Sequence, residues 1–243
     1  MDKLIFTAVS GAERSLRAQQ VRANNLANAD TPGFRANLEL ASSQSLARFG
    51  YGYDGVHLAR GEAGAVATRA GTVRETGREL DVALSGDGYL AVEWNDDEAY
   101  TRAGAIAIDA GGALSVNGRP LLGEGGPIVL PPHRAVEIAN DGTISIIPEG
   151  GTLAQAVDRL RLVSAEGRQL GKNEAGLLVA RDGAPLAPDP DLTLRSRGLE
   201  GSNVSAVEEM VAVMALNRAF ELQMKMFRAC DGMNESGNRL LGA

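Results

Sequence analysis

The chain has 243 residues, enough to bury a sizeable core as one domain or as a domain with extensions. Its formal net charge is −7 and aromatic residues make up 4%, which argues against a nucleic-acid binder with a basic face or a base-stacking platform. A single cysteine, Cys230, rules out an internal disulfide, and no apolar run of about 18 residues offers a membrane span.

The start, Met1-Asp2-Lys3-Leu4, lacks the basic n-region, apolar core and small-residue cleavage site of a secretory signal. The expectation is a chain that stays in the cytosol or leaves by a route that reads no cleaved signal. Ile5, Val9, Ala12, Leu16, Gln19, Ala23 and Leu26 alternate by four and three, the period of a coiled-coil seam. Ala8, Gly11 and Ala18 flank that seam and would let a second backbone approach closely. The spacing predicts a helix over about 4–28, with Pro32 and Gly33 as its stop. An ordinary amphipathic helix packed on its own domain is the plainer alternative.

Asn24, Asn25 and Asn28 fall within five residues at the end of this helix, although asparagine is a poor helix former. Two readings stay open. Either the helix end frays as the amides compete for backbone groups, or the amides bond across a helix interface and set its register.

Residues 36–72 show no strong periodicity and read as an extended connector, with a small aromatic knot at Phe49, Tyr51 and Tyr53. From Val73 the period becomes two. Leu80, Val82 and Leu84 alternate, Gly86-Asp87-Gly88 turns, and Asn117-Gly118 and Asp141-Gly142 are hairpin signals. Further apolar runs at 128–130, 136–138, 144–147, 160–163 and 177–179 complete an expected all-β domain over 73–195.

Chemistry is hard to place there. Gly123-Glu124-Gly125-Gly126 lacks the following Lys-Ser/Thr of a phosphate-binding loop. The two histidines, His57 and His133, have no cysteine cluster for zinc, and the candidate carboxylates sit in turns. No enzyme activity, metal or cofactor is expected.

The C-terminal segment carries a capping box, with Ser205 as cap and Glu208 reaching back. Val207, Met210, Val213, Met214, Asn217, Phe220, Met224 and Phe227 outline its main apolar stripe, and Met226, Cys230 and Met233 begin a second. From 205 to 240 a helix would reach about 50 Å at roughly 1.5 Å per residue. A helix with two stripes needs more than one neighbour. Five of the six methionines follow residue 209, where a flexible apolar filler suits adaptable interfaces better than metal binding.

Two signatures stand at opposite ends. Ala23-Asn24-Asn25-Leu26-Ala27-Asn28 followed by Thr31-Pro32-Gly33-Phe34 resembles the N-terminal signature of the flagellar axial proteins, the rod and hook family of the bacterial basal body. The start Met1-Asp2-Lys3-Leu4-Ile5-Phe6 looks most like the proximal-rod members. Gly198-Leu199-Glu200-Gly201-Ser202-Asn203-Val204-Ser205 resembles the family's second signature, and Leu80-Asp81-Val82-Ala83-Leu84 with Tyr100-Thr101-Arg102-Ala103-Gly104 resembles its β domain.

The resemblance implies a structural subunit without chemistry of its own. The expected fold is a mainly β central domain (73–195) plus long N- and C-terminal α-helices (1–35 and 196–243) that pair as a coiled-coil-like assembly domain. Its implied partners are other rod subunits and the flagellar type III export apparatus, with no nucleic acid, small-molecule substrate or membrane insertion. Its implied place is the periplasmic rod. A distal-rod subunit, a cell-wall-binding β module and a hydrolase are the rivals.

Overall fold

The computed structural model describes residues 2–45 and 57–241. The aromatic knot at Phe49, Tyr51 and Tyr53 lies outside the described residues. Two compact units emerge. One holds residues up to 27, 37–64 and 205 onwards; the other holds 28–36 and 65–204.

The first unit is built on two helices, α1 (Asp2–Ala27) and α2 (Ala206–Leu241). α1 ends five residues before Pro32. A turn follows, in which Thr31 N–H donates to the Asn28 carbonyl at 3.2 Å. α2 starts where Ser205 Oγ accepts the Glu208 N–H at 3.4 Å and the Ser205 carbonyl accepts the Glu209 N–H at 3.0 Å. Strands Asn37–Ser45 and His57–Val66 pair within the stretch read as a connector. Pairing supplies the order there that local periodicity does not.

The helices do not form the expected coiled coil. Among the described residues the chain is mostly β, with one helix of 26 residues and one of 36. α1 turns Ala8, Ala12, Ser15, Ala18 and Asn25 inward and leaves the seam residues Val9 and Leu16 exposed. Interlocking knobs need large apolar side chains aimed at the partner. Here the buried side is small and polar. α1 and α2 run antiparallel, Gly11 and Ser15 lying by Gln223, and Arg22 and Asn25 by Glu209.

The second unit is all β. Its largest sheet is antiparallel, in the spatial order Leu162–Ser164, Gly88–Trp94, Asp97–Thr101, Leu178–Ala180, Leu170–Lys172. Strand Gly88–Trp94 is covered on both faces: Leu90 and Val92 join one apolar cluster, while Tyr89 and Ala91 join a second. The larger cluster also takes Ile106, Leu114, Leu121 and Ile128, and Ile138, Ile144 and Ile146 from the hairpin His133–Ile138 and Thr143–Pro148.

Local turn chemistry sets the registers. Asn117 and Gly118 both have positive φ, 51° and 76°, and join Leu114–Val116 to Arg119–Pro120. Asn95 and Asp96, at 52° and 65°, close the hairpin in which Trp94 faces Asp97. The unit extends past the expected 73–195, taking in 28–36, 65–72 and 196–204.

Candidate assembly surface

Each residue picked out on the helices takes one of three positions. Ala12 and Asn25 are buried. Ile5, Gln19, Leu26, Asn28, Val213, Phe220, Met224 and Phe227 are half-buried. Val9, Leu16, Ala23, Asn24, Val207, Met210, Met214 and Asn217 are exposed.

The exposed apolar residues of α2 extend beyond that set: Val207, Met210, Val211, Met214, Leu222, Met226 and Met233. At about 100° per residue they gather on one side of the helix. Glu209, Val213, Phe220, Phe227 and Cys230 occupy the opposite side, which is buried or half-buried. α1 repeats the arrangement. There Phe6, Val9 and Leu16 are exposed, while Ala8, Ala12, Ser15 and Ala18 are buried. Val207 is 68% exposed, Leu222 65% and Phe6 62%. Large apolar side chains gathered on one exposed side are uncommon on a monomeric protein.

The inward side is organised by polar groups. Asn25, 0% exposed, treats Asn37 as a strand neighbour would. Its Oδ1 accepts the Asn37 N–H at 2.8 Å, and its Nδ2 donates to the Asn37 carbonyl at 3.0 Å and to Glu209 Oε1 at 3.3 Å. Arg22 Nη1 meets the same Glu209 oxygen at 3.1 Å. Asn24 Oδ1 accepts from Asn37 Nδ2 at 3.1 Å. Of the two readings of the asparagines, these contacts show the amides bonding between elements of one chain. Sequence reasoning missed Glu209 as their partner. Its place in the first turn of α2 gave a reason for an acid but none for its burial.

The second unit holds a buried charge cluster that sequence reasoning also missed. Glu200 lies between Arg35 and Arg102, 3.1 Å from each, and all three are nearly inaccessible. Arg102 also donates to the carbonyls of Gly88 at 2.6 Å and Gly86 at 2.5 Å. Burial lowers the Arg102 pKa from its ordinary value, with Glu200 acting against the shift. Lys172 Nζ donates to the Arg35 carbonyl at 2.6 Å and stands 3.7 Å from the Phe34 ring centre. Burial pushes Lys172 down to about 8.

A groove of about 210 Å³ is lined by Trp94, Asp97, Glu98, Tyr100 and Asn173 among others. Its Glu98 carboxylate is already engaged. Tyr100 O–H donates to Glu98 at 3.1 Å and accepts the Leu186 N–H at 2.7 Å, and Arg161 meets Glu98 at 3.1 Å.

Three family models cover much of the chain. The model described as "Flagella basal body rod protein" matches residues 5–35, "Flagellar hook protein FlgE/F/G D1 domain" matches 83–146, and "Flagellar basal body rod FlgEFG protein C-terminal" matches 195–240. The flagellar basal-body rod protein FlgF of Salmonella typhimurium is 41% identical over 99% of both chains. This chain belongs to the FlgF family. The Escherichia coli FlgF is 39% identical, again over 99% of both. A FlgG of Buchnera aphidicola from Acyrthosiphon pisum is 30% identical over 94% of this chain and 97% of its own. Like the FlgF proteins it resembles, the chain is a structural subunit of the flagellar basal-body rod and not an enzyme.

Proposed function

We propose that this chain is a proximal-rod subunit that polymerises through the exposed sides of its two terminal helices. One observation carries the reading: α1 turns Ala8, Ala12, Ser15 and Ala18 inward, and both helices keep large apolar side chains exposed, Phe6, Val9 and Leu16 on α1 and Val207, Met210, Met214 and Leu222 among those on α2. That surface is covered when helices of neighbouring rod subunits pack on it. Contacts of this kind join different patches on successive subunits and, when they do not close into a ring, extend into a helical shaft. The FlgF proteins of Salmonella typhimurium and Escherichia coli, at 41% and 39% identity, stand above the Buchnera FlgG at 30%, which favours the proximal over the distal position. The subunit reaches the periplasmic rod through the flagellar type III export apparatus without a cleaved signal. Its single cysteine forms no internal disulfide that passage unfolded would have to break.

Cysteine cross-linking in assembled basal bodies tests the reading. Cys230 is buried, so Met214→Cys or Leu222→Cys adds the accessible thiol. The expected result is a covalent adduct with another rod subunit from either position. Basal bodies that contain the variant but yield no adduct from either position overturn it.

A further inference from the structure

The chain runs through the second unit at 28–36, returns at 65 and leaves at 204. Three of its segments there, 33–36, 67–72 and 200–203, are bonded to one another. Gly33 N–H donates to the Glu200 carbonyl at 2.8 Å, and Asn203 N–H donates to the Phe34 carbonyl at 3.2 Å. Ala67 N–H donates to the Ala36 carbonyl at 2.9 Å, and Gly201 N–H to the Thr72 carbonyl at 2.8 Å.

Two side chains tie all three. Asn203 Oδ1 accepts the Ala36 N–H at 2.7 Å, while its Nδ2 donates to the carbonyls of Ala67 at 3.3 Å and Arg69 at 2.8 Å. Glu200 Oε1 accepts the Gly71 N–H at 2.8 Å and holds Arg35, and its Oε2 faces Arg102. Two of the segments also approach closely, since a Cβ on Gly71 would overlap the Gly201 carbonyl; outside the three segments, a Cβ on Gly33 would overlap the Arg102–Ala103 peptide.

We propose that these three segments form a clasp that opens and closes as one element, separately from the sheets, with Glu200 and Asn203 as its positioning residues. The apolar clusters of the second unit rest on large side chains from the strands. The clasp rests on buried polar groups whose partners sit on the other segments, except Arg102, which follows strand Asp97–Thr101, so losing one group leaves the rest unsatisfied. Removing Glu200 alone would leave two buried guanidinium groups without a carboxylate. An element held this way opens below the free energy of global unfolding. It frees or holds the segments that lead to the chain ends while the sheets stay folded.

Native-state hydrogen exchange on the full chain tests this, with Glu200→Gln and Asn203→Ala each read at amides the substitution does not touch. In Asn203→Ala the readout is Gly33 and Gly71, which donate to Glu200. In Glu200→Gln it is Ala36 and Ala67, which donate to Asn203 and Ala36. Ala91 and Leu121 report the sheets. The expected result is exchange roughly tenfold to a hundredfold faster at the clasp amides, with Ala91 and Leu121 unchanged. Acceleration confined to directly bonded amides overturns the proposal, as does acceleration of sheet and clasp in step. Should Glu200→Gln fail to fold, Asn203→Ala decides alone through Gly33 and Gly71.

Discussion

The two units bury opposite kinds of side chain. In the β unit the inaccessible residues are large and apolar, such as Leu90, Ile106, Leu114, Leu121 and Ile144. In the helical unit the buried positions among the described residues are Ala8, Ala12, Ser15, Ala18, Asn25, Glu209 and Cys230, while the large apolar residues are half-buried, as Phe220 and Phe227 are, or exposed, as Val207 and Leu222 are. Burial of apolar surface stabilises by about 25 cal/mol per Å², so the same number of buried positions holds the helical unit far less firmly. A unit whose buried positions are small and polar is specified by those contacts more than by apolar burial.

The largest effect should fall in the β unit. Leu90→Ala removes a side chain of 0% exposure between strands and is expected to cost about 2–5 kcal/mol by urea unfolding, through lost transfer energy and the cavity left behind. A cost below that of an exposed-residue change would mean the sheet core is not what holds this unit.

Next comes the polar lock of the helical unit. Asn25→Ala leaves the N–H and carbonyl of Asn37 without their partner and removes one contact of Glu209. The expected cost is about 1–3 kcal/mol, confined to the helical unit. Faster exchange of the Asn37 amide, with Ala91 unchanged, is the measurement. Equal loss in both units would dissolve the contrast between them.

A smaller effect depends on pH. Lys172 is held at about 8 in the fold, below its ordinary 10.5. Between these values the unfolded chain binds more protons than the folded one, so stability rises with pH across that window. Tyr89 and Tyr100, raised by burial, act in the opposite sense near and above 10. The readout is therefore the difference between the wild type and Lys172→Met. The wild type should gain on the variant from pH 8 to 10.5. A difference independent of pH would show that Lys172 is solvated like a surface lysine.

Much of the β unit was legible because turn chemistry is local. Asn117-Gly118 and Asp141-Gly142 name positions where a positive φ is cheap, and the strands follow from them. The helices were legible as periods but not as surfaces. Val9 and Leu16 recur with the same spacing whether a helix of this chain or of another subunit covers them, so periodicity gave a stripe and could not say what lies on it. The coiled-coil expectation failed at that step: at Gly11 the Gln223 side chain of α2 stands where a Cβ would sit, so a small residue and an amide meet there rather than two apolar knobs. Glu200, Arg35 and Arg102 were illegible for another reason. They are far apart in the chain, and a lone charged residue at a strand end or in a loop has no local feature that announces burial.

The smallest effect on stability should be the largest on assembly. Leu222→Ser and Met214→Ser replace apolar side chains that are already mostly in solvent, so each should shift unfolding by within about 0.5 kcal/mol. Packed against a neighbouring helix, the same side chains would each contribute burial of about 1.5–3 kcal/mol when fully covered, repeated at every subunit of the shaft. Motility and rod formation in a strain lacking the native protein should therefore fall sharply for the double variant while its melting temperature holds. If motility persists, subunits do not pack on this side of α2. If the melting temperature falls with it, the surface is already covered within the isolated chain, and the contrast between a self-sufficient β unit and a partner-dependent helical unit no longer stands.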